Sequence, residues 1–139
     1  MRRMVVLVFV LAGCGEQGPD PAQLALGEKL YAQHCAACHG AQRQGQPDWQ
    51  KRLPNGKLPA PPHDETGHTW HHPDEVLFGI TKHGMVPPYA PRGYPSDMPA
   101  FGGVLSDAEI RAVLAYIQSH WTHPDLLKAR AEILRNARR

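Results

Sequence analysis

The chain contains the run Cys35-Ala36-Ala37-Cys38-His39. Two thiols three positions apart, with an imidazole directly behind them, suit covalent attachment of a haem. Each thiol adds to one vinyl group of the porphyrin, and the turn between them carries the His39 ring under the iron as proximal ligand. The other uses of Cys-x-x-Cys are a zinc knuckle, a thioredoxin-like redox pair and a disulfide. Zinc wants a second pair of ligands at regular spacing, and no cysteine follows Cys38. A redox dithiol wants a strand before it, whereas the residues before Cys35 read as helix.

The flanks narrow the reading further. Gly27-x-x-x-Tyr31-x-x-x-Cys35 runs straight into the motif, and His39-Gly40 leaves it. With these flanks the stretch resembles the haem-binding start of the class I c-type cytochromes. The resemblance covers about Pro21 to Trp121. It implies an all-α cytochrome c fold in which N- and C-terminal helices cross around one covalently bound haem c, held by Cys35, Cys38 and His39. It also implies that Met98-Pro99-Ala100-Phe101-Gly102 is the loop of the sixth ligand, with Met98 on the iron. A thioether there stabilises the reduced metal and raises its potential. Met85 is the rival methionine, and His71 or His83 the rival histidine. Met85 directly follows a predicted helix end at Gly84, so a ligand there leaves a long loop with nothing to hold.

The chain has 139 residues, room for one domain rather than two. Aromatics make up only 7%, against 14 Pro and 13 Gly, which suits short helices joined by long stiffened loops with a cofactor at the centre of the core. The formal charge is +2 and two of the positive groups are Arg2 and Arg3, so nothing here is basic enough to argue for a nucleic-acid partner.

Residues 1–13 read as a signal peptide: Arg2 and Arg3 form its positive start, and Met4 to Ala12 is apolar and too short to span a bilayer. Leu11-Ala12-Gly13-Cys14 resembles the lipobox of bacterial lipoproteins, a family in which the cysteine is acylated and becomes the first mature residue. An ordinary signal peptide with an incidental Cys14 is the alternative. With lipid on Cys14 and haem on Cys35 and Cys38, no thiol is left for a disulfide. Residues 14–20 then form a flexible tether, 21–121 the cytochrome c domain, and 122–139 a C-terminal basic amphipathic helix.

A first helix is predicted from Pro21 to about Ala37, capped by Asp20, with Leu24, Gly27, Leu30 and Tyr31 inward. Gly27 costs about 1 kcal/mol in a helix relative to Ala, and its use is to let another helix cross closely. His34 reads as a flank of that helix rather than a ligand. Gly40 to Pro62 reads as loop. The backbone carbonyl of Pro47 is the predicted acceptor for the second ring N–H of His39, by resemblance to a proline that follows this motif in the family. His63 to His72 holds four histidines, which either line the haem edge as a polar loop or bind a metal such as copper. Trp70 is the predicted indole donor to a haem propionate, again by resemblance.

A second helix is predicted over Pro73–His83, with Val76, Leu77 and Ile80 inward. Ser106-Asp107-Ala108-Glu109 is a capping box opening a helix to about Trp121, with Ile110, Val113, Leu114 and Ile117 as its apolar stripe. Tyr116 and Trp121 read as packing. From Pro124 onward Leu126, Leu127, Ile133 and Leu134 alternate with Lys128, Arg130, Arg135, Arg138 and Arg139. That basic crowd is a solvated face, or a contact for anionic lipid or an acidic partner.

Together these features imply a one-electron carrier in the bacterial cell envelope, on the periplasmic or extracytoplasmic face, anchored by lipid and exchanging electrons with protein donors and acceptors. No general base or nucleophile constellation accompanies the haem motif, so the chain reads as no enzyme by itself, at most a subunit of an oxidoreductase chain. A copper-handling lipoprotein and a haem-based sensor or ligand-binding module are the rival readings. The thioether at Met98 argues against a sensor, which leaves its distal site open.

Overall fold

In a computed structural model the described residues are 19–139. The predicted signal peptide and the lipidation site Cys14 lie outside them, as does most of the tether. Five α-helices follow in order: α1 Pro21–His34, α2 Ala36–His39, α3 Asp74–His83, α4 Asp107–Gln118 and α5 Pro124–Ala137. A single 3-10 turn, Thr69–His71, precedes α3, and there is no strand among the described residues. The all-α fold predicted from the sequence is therefore what the chain adopts.

Asp20 starts α1 by accepting the Ala22 amide at 3.0 Å, with Pro21 at the first helical position. The predicted single helix to Ala37 is instead two. At Cys35 the backbone turns aside (φ −115°), and α2 restarts at Ala36 and ends at His39. That break lets the Cys38 and His39 amides both return to the Cys35 carbonyl, at 3.1 and 2.9 Å.

Helix α1 packs across α4, and α3 also packs on α4. The α1–α4 crossing is close at Gly27, where a Cβ would run into the Ala112 carbonyl and stand 2.8 Å from the Tyr116 Cβ. Ser106 and Glu109 form the predicted capping box in both directions. All four predicted stripe residues of α4 are buried, and they join Leu30, Tyr31, Leu77, Phe101, Leu105, Trp121 and Leu126 in one core.

On α3, Leu77 is buried together with Gly79 and Thr81, while Val76 and Ile80 are half-buried. Gly79 is covered by Tyr89, whose ring lies on its bare Cα and takes the space a side chain would need. Helix α5 folds back onto the 69–71 turn. Leu126 and Arg130 are its buried residues, while Leu127 is 45% exposed.

Candidate functional site

His39 ends α2 with only 8% of its surface exposed. Its Nδ1 lies 2.8 Å from the Pro61 carbonyl, the predicted kind of acceptor on a different proline. Pro47 does not fill this role. The loop folds so that Gly45 donates to the His39 carbonyl and Gln46 to the Ala60 carbonyl, which brings Pro61 rather than Pro47 against the ring. A carbonyl at Nδ1 makes that nitrogen the N–H and leaves Nε2 with a free lone pair, the tautomer a metal ligand needs. Burial holds the imidazole below its ordinary pKa, opposed by the Pro61 bond.

Cys35 and Cys38 are free thiols. Cys38 is exposed, while Cys35 is half-buried against the core. Burial, and then the neighbouring Cys38, push the Cys35 thiol up to about 11. A redox dithiol has the opposite character, its attacking thiol held low by positive surroundings. Two thiols within one turn, followed directly by a buried imidazole with a free Nε2, fit covalent haem c. Zinc finds no comparable set, since no group of three or more His, Cys, Asp or Glu stands together among the described residues. By the same observation, the histidines at 63, 68, 71 and 72 do not assemble a metal cage.

Met98 packs against the hydrophobic cluster that Cys35 and Ala36 also touch. The loop carrying it is pinned to the end of α3: the Phe101 and Gly102 amides donate to the Thr81 and Lys82 carbonyls at 3.0 and 2.9 Å. The Met98 amide itself is taken by the Ser96 hydroxyl at 3.1 Å. Met85 is not among the residues packed on this cluster.

Trp70, the predicted propionate donor, is half-buried. Its indole N–H donates to the Gly67 carbonyl at 3.1 Å, and its ring leans on His71 with centroids 3.6 Å apart. The Trp70 carbonyl receives Arg130, which also donates to the His72 carbonyl, each at 2.9 Å, and pairs with Asp74. The Arg130 guanidinium also covers the Trp121 ring at 4.7 Å. Arg130 therefore belongs to the interior and not to a basic docking face; Lys128, Arg135, Arg138 and Arg139 remain exposed.

The residue that sequence reasoning passed over is His63. It was one of four histidines in a polar stretch, yet its ring stacks on His39 with centroids 3.8 Å apart and planes 18° apart. The only hint was its place at the end of the stiff Pro61-Pro62-His63 run.

No solved structure significantly matches the chain. Over 79 residues it is 33% identical to the "Cbb3-type cytochrome c oxidase subunit CcoP" of Rubrivivax gelatinosus, covering 57% of this chain. The matched stretch is only 24% of that protein's length. The family model described as cytochrome C oxidase, cbb3-type, subunit III matches residues 22–117, from the first turn of α1 to the last of α4. That span takes in the whole helical frame around His39 and implies a c-type cytochrome domain with covalently bound haem. With well over half of its residues matched, the chain belongs to the cbb3-type cytochrome C oxidase subunit III family.

Proposed function

We propose that this chain is a one-electron carrier of the bacterial envelope with a single haem c, attached at Cys35 and Cys38 and ligated by His39 and Met98. The observation that carries this reading is the placement of His39: buried, its Nδ1 on the Pro61 carbonyl and its Nε2 free, directly after the thiols of Cys35 and Cys38. Haem supplies reversible one-electron storage between ferrous and ferric iron. The chain's own contribution is to hold the imidazole in one tautomer, to present the Met98 thioether from a loop pinned to α3, and to keep water from that side with the α1–α4 core. Cys14 carries the lipid anchor in this reading. In this reading attachment rests on acylation, and firm attachment on more than one acyl chain; no described helix is long and apolar enough to cross a membrane. The relative's name points to a cytochrome c oxidase as the electron partner.

The reading is tested by replacing the two methionines in the haem-loaded protein. Met98→Ala should keep the haem covalently bound, lower the reduction potential, let carbon monoxide reach ferrous iron and abolish the weak red absorption of methionine-ligated ferric haem. Met85→Ala should do none of these. If Met85→Ala loses the six-coordinate spectrum and Met98→Ala keeps it, the ligand assignment is wrong.

A further inference from the structure

The segment Pro61–His63 meets the His39 ring twice. The Pro61 carbonyl takes its Nδ1 edge at 2.8 Å, and the His63 ring covers one face at 3.8 Å between centroids. The edge contact fixes which nitrogen is protonated. It leaves the ring free to swing about the bond joining it to its own backbone, within what a hydrogen bond tolerates. A flat group pressed on one face removes that remaining freedom. Because His63 stacks face to face, it lies off the plane of His39 and leaves the Nε2 direction clear.

His63 is itself held from several sides. Its amide donates to the Arg43 carbonyl at 2.8 Å, and its own carbonyl accepts the Trp121 indole N–H at 3.0 Å. Its ring meets the Tyr31 edge with centroids 5.9 Å apart. Arg43 sits in left-handed backbone (φ 65°), which costs a non-glycine residue about 1–3 kcal/mol and persists only where the surroundings over-determine it. Meanwhile the His63 Nδ1 is buried with no hydrogen-bond partner. A buried polar atom left unpaired is a cost, so that nitrogen does not explain where the ring sits. Backbone anchoring and ring stacking do.

We infer that His63 is a positioning residue that clamps the plane of the axial imidazole of His39 by stacking on its face. The inference rests on His39 being a haem ligand, as proposed above. The orientation of an axial imidazole plane decides how the two iron d orbitals that overlap its π system are split. That splitting is read in the g-anisotropy of ferric low-spin haem and in the spread of its paramagnetically shifted methyl resonances. A residue that merely fills space would change stability and leave both signatures where they were.

The test uses the full-length, haem-loaded protein with His63→Phe and His63→Leu. Phenylalanine keeps a flat ring and removes the unpaired nitrogen; leucine also removes the nitrogen but replaces the flat face with a branched aliphatic side chain. The expected result is a wild-type g-tensor and methyl pattern for His63→Phe and a shifted pattern for His63→Leu, with covalent haem and Met98 ligation retained in both. A wild-type pattern in His63→Leu overturns the inference. So does a shift in His63→Phe as large as that in His63→Leu, or failure of either variant to fold. Absence of covalent haem from the wild-type chain would instead refute the haem reading itself, and a haem stain after denaturation shows which has failed.

Discussion

At the scale of single residues, Gly27 shows two opposing effects that magnitudes decide. Replacing it with alanine gains about 1 kcal/mol of helix propensity. The new methyl, however, meets the Ala112 carbonyl and the Tyr116 Cβ, and a backbone oxygen inside a packed helix cannot swing aside. Overpacking of this kind costs about 1–3 kcal/mol and the clash here is severe, so the crossing should lose. Gly27→Ala is predicted to lower the chemical denaturation midpoint at unchanged slope. A higher midpoint would mean that α1 and α4 do not cross as closely as described. The same scale shows what a sequence reader cannot reach. Gly27 was legible because glycine in a helix has few reasons to be there. The acceptor of His39 was not, because any carbonyl of a long proline-rich loop looks alike until the loop folds, and the Gly45 and Gln46 hydrogen bonds select Pro61 over Pro47.

At the scale of elements, local rules served wherever a helix owns its signals. The Asp20 cap, the Ser106–Glu109 box and the α4 stripe all stand as written in the chain. They failed where a charged residue turns inward, as Arg130 does on α5. Arginine at that position looked like part of a basic tail. Its guanidinium instead ties α5 to the 69–71 turn through two carbonyls, Asp74 and the Trp121 face. Asp74 is half exposed, so the ion pair itself counts for little; the two backbone carbonyls left without a donor matter more, at about 1–3 kcal/mol. Arg130→Met should therefore raise hydrogen exchange in α5 and in residues 69–72 together while leaving α1 protected. Arg135→Met, at an exposed position paired only with Glu132 at 3.8 Å, should leave exchange unchanged. Equal effects from both substitutions would return Arg130 to the surface.

At the scale of the whole molecule, a small core is arranged so that one end of α1, the short α2 and the Met98 loop all face the same cluster. The ordering of these parts along the chain was legible because covalent haem attachment demands two thiols and a histidine in one turn, a pattern few other chemistries share. The second contact on the histidine, from His63, was not legible: it depends on a loop of more than 20 residues returning to α2, and no local rule encodes that return. The central claim is that this core is built around one haem fixed at Cys35 and Cys38. Its most direct test is the intact mass of the full-length protein after export through a haem-attachment system, beside a Cys35→Ala, Cys38→Ala double variant. The account predicts that the wild type gains the mass of one haem that survives denaturation, and that the double variant gains none. A wild type without that added mass, or a double variant that keeps it, would contradict the account.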